Sequence, residues 1–329
     1  NGITLTVAGD ISGVSDFVIG DSQSAGVTLY ASTWAHDKDN QYTFGDINIG
    51  QYGALELLSY NNNNTNYTDD YGLDLTADNI TIASGGYISS NYSGYTGANG
   101  PGISPYDCSG RSGGSYGGYG GIQNCSPVGT PYGNVYEPTS LGSGNGETGS
   151  TGGGAMKITV TGVLDLDGII GSSGNNQGSG GSIWLDVNEM GGTGALHSSS
   201  GNGDGPRGGG SGGRIAVYYN SLTSGNEFNF DTQTNAGGGL GGYWVTSLYG
   251  GPGTVYVEHK GVDPHHGAKL ISDNKGRSSN GSAGLVEDNY SFAEIRTVSY
   301  GSLRVLGDGS VLELDRKSTR LNSSHGKLS

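Results

Sequence analysis

The sequence predicts an all-β chain: a right-handed parallel β-helix with long glycine-rich lateral loops. Three observations predict it. Short segments alternate apolar and polar residues with period 2, as half-buried strands do: ITLTV at 3–7, VTLY at 27–30 and INI at 47–49. Glycine or Asn/Asp turns follow them and lead into a second strand, giving a loose repeat of strand, tight turn, strand. Helix signals are nearly absent, and 67 of the 329 residues are Gly, each costing about 1 kcal/mol in a helix relative to Ala.

The repeat runs along the chain. DINI at 46–49 is followed by Gly53 and LEL at 55–57; NITI at 79–82 by Gly85, Gly86 and Ile88; VLDL at 163–166 by Gly168 and Ile170. SIWLDV at 182–187 and RIAVY at 214–218 come next. SLRV at 302–305 then precedes GDG at 307–309 and VLEL at 311–314. The irregular spacing requires turns of varying length. In a β-helix each coil hides its inward residues only by stacking on a neighbour. A β-sandwich is the alternative, since it also shows many short strands, but it calls for cleaner hairpin signals and fewer glycine-dense insertions.

Residues 1–314 read as one β-helix domain. Four low-complexity stretches interrupt it, at 112–121, 142–154, 202–213 and 236–242. They fit either flexible coil or ordered lateral loops packed on the coils. The largest interruption, about 97–154, is a Gly/Tyr-rich insertion holding both cysteines. Cys108 and Cys125 read as a disulfide worth roughly 3 kcal/mol, with two free thiols as the alternative; no nearby His set suggests zinc. The chain starts at Asn1 without an initiator Met, as a mature or internal fragment would.

Composition excludes several functions. Acids outnumber bases 30 to 15, for a formal charge of -15, so no nucleic-acid partner is expected. The glycines keep no three-residue period, which excludes collagen. No apolar run approaches about 18 residues, so no membrane insertion is expected.

The run YGNVYEPTSLGSGNGETGSTGGGAMKITVTG, then GSGGSIWLDV, then GGGSGGRIAVYY, spans about 132–220. It resembles the glycine-rich parallel β-helix repeats of large adhesin-like surface proteins of uncultured bacteria. The N-terminal third and the region after Val262 match less well. The resemblance implies an extracellular, adhesin-like or structural role at the cell surface, and it brings no catalytic motif. Separately, DRKSTRLNSSH at 315–325 resembles one reading-frame translation of a sequencing-library adaptor. Residues 315–329 are therefore expected to be a non-native tail, and the sequence to derive from assembled environmental DNA.

The search for chemistry assigns no catalytic residue. The acid pairs Asp165/Asp167, Asp69/Asp70 and Asp37/Asp39 have the form that glycoside hydrolysis uses, and acids on turns and solvated strand faces have the same form. His265 and His266 read as exposed loop residues. Calcium is the only cofactor considered: Asp204 and Asp308 sit in Asp/Asn/Gly turns that supply oxygen ligands. The acceptor pattern N-x-S/T marks Asn63, Asn66, Asn79, Asn91, Asn124, Asn280 and Asn289 as glycosylation candidates. Of the 21 tyrosines, Tyr87, Tyr92, Tyr95, Tyr116 and Tyr119 lie beside Gly, Ser or Asn. They read as a glycan- or protein-binding face, or as packing of loops on the coils.

The expected function is an extracellular structural protein without catalytic activity, a surface stalk or adhesin segment or a filament subunit. Its partners would be copies of itself stacked end to end, or further coils of a longer chain. A glycan-binding or phage tail-fibre segment is one alternative. A polysaccharide lyase or glycoside hydrolase is the other.

Overall fold

The computed structural model describes every residue except 1–2, 9–10, 21–23, 31–40, 63, 65, 104–111, 123–127, 146–148, 204–206, 243–248, 263–267, 288, 307–310, 315–326 and 329. In chain order the strands are β1 (Ile3–Ala8), β2 (Ile11–Ile19), β3 (Ala25–Tyr30), β4 (Gln41–Ile49), β5 (Gly53–Leu58), β6 (Leu73–Ile82) and β7 (Tyr87–Ser89). There follow β8 (Ala155–Leu166), β9 (Ile169–Gly171), β10 (Ser182–Gly191), β11 (Ala195–His197), β12 (Arg214–Leu222), β13 (Thr234–Asn235) and β14 (Thr254–His259). The last are β15 (Lys269–Asp273), β16 (Ala283–Leu285), β17 (Asn289–Phe292), β18 (Glu294–Val298), β19 (Ser302–Val305), β20 (Val311–Leu314) and β21 (Lys327–Leu328). A short 3-10 turn, Tyr67–Asp69, lies between β5 and β6.

The chain is all-β, with two large sheets and two small ones, β16-β19-β21 and β17-β20. The odd-numbered strands up to β13 form one large sheet, in the order β1-β3-β5-β7-β9-β11-β13. The even-numbered strands up to β14 form the other, with β18-β15 completing the order β14-β12-β10-β8-β6-β4-β2. Each strand from β1 to β14 thus pairs in parallel with the strand two places away in sequence. Among the described strands, β14–β15 is the one antiparallel pair. The sandwich alternative needs strands paired antiparallel through hairpins, and this pairing does not supply them.

The alternating sequence pattern explains the interior. In the odd sheet, Val27, Leu55, Ile88, Ile170 and Leu196 stand in register on successive strands, all buried. In the even sheet, Tyr42, Leu75, Ile158, Leu185, Val217 and Val257 do the same. Like residues stacked on like remove each other from water; a fully buried Leu or Ile contributes roughly 2–3 kcal/mol. The alternation breaks once along β6, where Asp78 and Asn79 both turn outward between buried Ala77 and buried Ile80. The register with β8 shifts at the same place, so the break is a β-bulge.

The glycine-rich stretches form a second kind of interior. Residues 112–118, 141–145, 152–154, 177–181, 208–213, 236–239 and 250–253 are buried, and four of these stretches run on into strands, at Ala155, Ser182, Arg214 and Thr254. Successive amides in these segments donate in different directions. Gly152 donates to the Tyr95 carbonyl, Gly153 to Ser179 and Gly154 to Ser90, at 2.9, 2.9 and 2.8 Å. Ser211, Gly212 and Gly213 donate to Gly114, Gly251 and Ser198 at 2.9, 3.0 and 2.8 Å. A β-strand bonds neighbours on two sides only. Rotation of donors around the segment is what an extended chain of three residues per turn gives. Backbones approach so closely that side chains have no room: a Cβ on Gly212 would stand 1.8 Å from the Ala236 carbonyl oxygen. Serine hydroxyls complete the array, as where Tyr116 donates its N–H to Ser211 Oγ and Gly102 to Ser143 Oγ, each at 2.9 Å.

Arg214 joins the two interiors. Its side chain is fully buried. Nη2 donates to the carbonyls of Tyr132 and Gly284, both at 2.8 Å, and Nη1 to Thr254 Oγ1 at 3.2 Å. Beyond it, Tyr136 stands edge-on to Tyr256 at 5.0 Å and contacts Phe292 at 5.8 Å, so the C-terminal strands cover the outer face of β12 and β14.

Candidate functional site

The outer face of the odd sheet carries the site. Its inward rows are aliphatic, so the residues between them must point outward. One outward row is Gly26, Ala54, Tyr87, Ile169 and Ala195; the next is Thr28, Glu56, Ser89, Gly171 and His197. Large residues fall only in the middle of the first row, where Tyr87 is 39% and Ile169 42% exposed. Small residues on both sides leave a groove of about 550 Å³ around them, bounded by Tyr92 and Asp167. A second hollow of about 470 Å³, reaching Thr28 and Tyr52, shares Glu56, Gly85 and Tyr87 with it. Together they run from β3 to β11, four strand spacings or roughly 19 Å.

Two features give the groove its chemistry. Tyr92 follows β7 in a turn, with its N–H on the Ser173 carbonyl at 2.9 Å. Its φ of 59° lies in the left-handed region, and the residue is 55% exposed. Asp167 follows β8. Its Oδ1 accepts both the N–H and the hydroxyl of Thr193 at 2.8 Å, which holds the carboxyl below the usual carboxylate range. Glu56 supplies a second carboxylate and takes the Thr28 hydroxyl at 3.4 Å. Among the described residues no Lys, Arg or His lines either hollow.

The tyrosines singled out in the sequence divide into two groups. Tyr87 and Tyr92 reach the groove. Tyr95 and Tyr116 are buried, and Tyr119 is half-buried. Tyr95 meets Tyr67 edge-on at 5.3 Å, and burial raises its phenol well above the ordinary value. The Tyr116 hydroxyl bonds Ser182 Oγ at 2.5 Å inside the glycine-rich interior.

The acid pairs divide as well. Asp165 and Asp167 both face outward, but Asp165 does not line the groove that Asp167 borders. Asp70 lines a different hollow of about 290 Å³ with Asp74 and Lys157, while Asp69 does not. Desolvation raises the carboxyls of Asp70 and Asp74. Among the described residues no three His, Cys, Asp or Glu side chains gather as a metal site. Cys108, Cys125, Asn63, Asn124, Asp204, Asp308, Asp37, Asp39, His265 and His266 lie outside the described residues.

The remaining glycosylation candidates differ in availability. Asn66, Asn280 and Asn289 are exposed. Asn79 sits in the β6 bulge, where Nδ2 donates to Asp46 Oδ1 at 2.8 Å and Oδ1 accepts the Val163 N–H at 2.9 Å. Asn91 Oδ1 accepts the Ser173 N–H at 2.6 Å. The carboxamides of Asn79 and Asn91 thus support neighbouring backbone.

Sequence reasoning missed Glu56, Ile169 and Thr193. The LEL and Gly-Ile-Ile segments do show which residues face outward, but not which strands stand side by side. No family model, no curated protein and no solved structure matches the chain.

Proposed function

We propose that this chain is a non-catalytic extracellular scaffold, a segment of a surface stalk, adhesin or filament built as a right-handed parallel β-helix. The observation that carries the reading is the alternation of strands. From β1 to β14, consecutive strands alternate between two parallel sheets, so that each turn of chain lays one strand on each. Parallel crossovers of this kind are overwhelmingly right-handed. Backbone hydrogen bonds then run along the stacking axis, and every coil completes the burial of its neighbour.

The carboxylates support a scaffold over an enzyme. Asp165 and Asp167 do not share a groove, and Asp70 and Asp74 stand beside Lys157 in a separate hollow. Among the described strands, β1 and β2 each pair on one side only. Such an edge is a template for another strand, and a second copy or a further coil is the occupant that fits.

Incubation with polygalacturonate, alginate and a mixed-linkage glucan tests the reading. No reducing ends or unsaturated products should appear above a heat-denatured control, and sustained release overturns the non-catalytic assignment. In electron micrographs the chain should form end-to-end rods as concentration rises. Monomers at every concentration would overturn the filament version.

A further inference from the structure

We propose that the groove on the outer face of the odd sheet binds an uncharged polysaccharide, its sugar rings lying on Tyr87 and Tyr92 and its hydroxyl groups donating to Asp167 and Glu56. The site goes beyond the scaffold reading and stands whether or not the chain polymerises.

Tyr92 is the first argument. A bulky residue in the left-handed region costs on the order of 1–3 kcal/mol, whereas glycine adopts it freely. The chain meets this need with glycine at many turns, as at Gly85 and Gly133, and with other residues at Asn176, Lys275, Ser299 and Tyr300. Position 92 carries an aromatic residue, and more than half of its surface faces solvent. What sets Tyr92 apart from Tyr300, which is also left-handed and exposed, is its place: Tyr92 lines the groove and Tyr300 does not.

The floor supplies the second argument. Strands β5, β7 and β9 have ladder partners on both sides, so the groove offers no free backbone edge to an added peptide strand. It offers aromatic and aliphatic faces from Tyr87, Tyr92 and Ile169 instead, with acceptors beside them. Thr193 fixes Asp167 through Oδ1 alone, which leaves Oδ2 to accept from a ligand. Sugar rings present the matching surface: C–H faces for stacking and hydroxyl donors at their rims.

Charge and shape narrow the class. Among the described residues two carboxylates and no cation line the track, so uronate or sulfate polymers meet repulsion there. The two hollows form a shallow track of roughly 19 Å across five strands, a length suited to several linked sugars rather than one.

Affinity electrophoresis of the intact chain tests the assignment, in native gels containing hydroxyethylcellulose, galactomannan, mixed-linkage glucan or alginate. At least one neutral polymer should retard the protein, and alginate should not. Tyr87→Ala and Tyr92→Gly should each weaken retardation about tenfold, while Tyr300→Ala, an exposed tyrosine outside the groove, should leave it unchanged. Tyr92→Gly relieves the backbone strain, so its unfolding midpoint should match or exceed that of the parent, separating lost binding from lost folding. No retardation by any neutral polymer overturns the proposal. So does equal retardation by alginate, or retardation indifferent to both groove substitutions.

Discussion

The paired sheets and the glycine-rich segments are both interiors, yet they are built in opposite ways. In the sheets, side chains fill the space: Ile158, Leu185 and Val217 stack with no exposed surface. In the glycine-rich segments, backbone fills it: Gly212 lies so near Ala236 that a single added carbon would overlap its carbonyl oxygen, 1.8 Å away. The first interior is stabilised mainly by apolar burial. The second buries many peptide groups and holds them only because nearly every donor finds a carbonyl or a serine hydroxyl. A buried hydrogen-bond network of this kind tolerates few changes in either direction.

The contrast can be broken at named positions. Gly212→Ala should give the largest effect, at or above about 3 kcal/mol, because the clashing atom is backbone and cannot rotate away. Leu185→Ala, a loss of atoms rather than a gain, should cost about 3 kcal/mol. If the two interiors differ as described, one added carbon in the first case matches most of a leucine removed in the second. Urea unfolding of both variants measures this, and a Gly212→Ala protein as stable as the parent would remove the distinction.

Arg214→Met should cost about 3 kcal/mol or slightly less, since it strands the carbonyls of Tyr132 and Gly284 in a dry interior. A hydrophobic replacement that stabilises the protein would show that desolvation of the cation outweighs its bonds.

A smaller effect depends on pH. Burial, and then the charge of Lys275, lower the His197 pKa below its ordinary 6.5. The unfolded chain therefore binds the proton more readily than the folded one. Stability from this group is full above pH 6.5 and falls as pH drops through the lowered value. His197→Gln should flatten the pH dependence of the unfolding midpoint between pH 7 and 5, and an unchanged slope would place the acid lability elsewhere. Gly26→Ala should change least, a gain of about 0.5 kcal/mol, because the nearest atom to its new Cβ is 4.0 Å away. This substitution separates a glycine in a strand from a glycine in the backbone-packed interior.

The strands were legible in the sequence because one physical rule, alternation with period 2, governs them. ITLTV, NITI and VLEL all lie within strands. The glycine-rich interior was not, because Gly and Ser spell a flexible loop and a close-packed backbone with the same letters. Only the identity of hydrogen-bond partners, such as Gly114 with Gln177 or Gly212 with Gly251, tells them apart. The groove was half legible. Tyr87, Tyr92 and Asp167 stood out, but nothing beside Tyr92 in sequence distinguishes it from Tyr95, three residues on and buried. The strands β15 to β18 were missed because they are short: β17 and β18 do alternate, as NYSF and EIRTV, but over only four and five residues.

Amide hydrogen exchange on the intact chain tests the central claim most directly. If backbone packing makes a true interior, the amides of Gly153, Gly212 and Gly251 exchange as slowly as those of Ile158 and Val217. Exchange of these glycines at the rate of open loops would contradict the account.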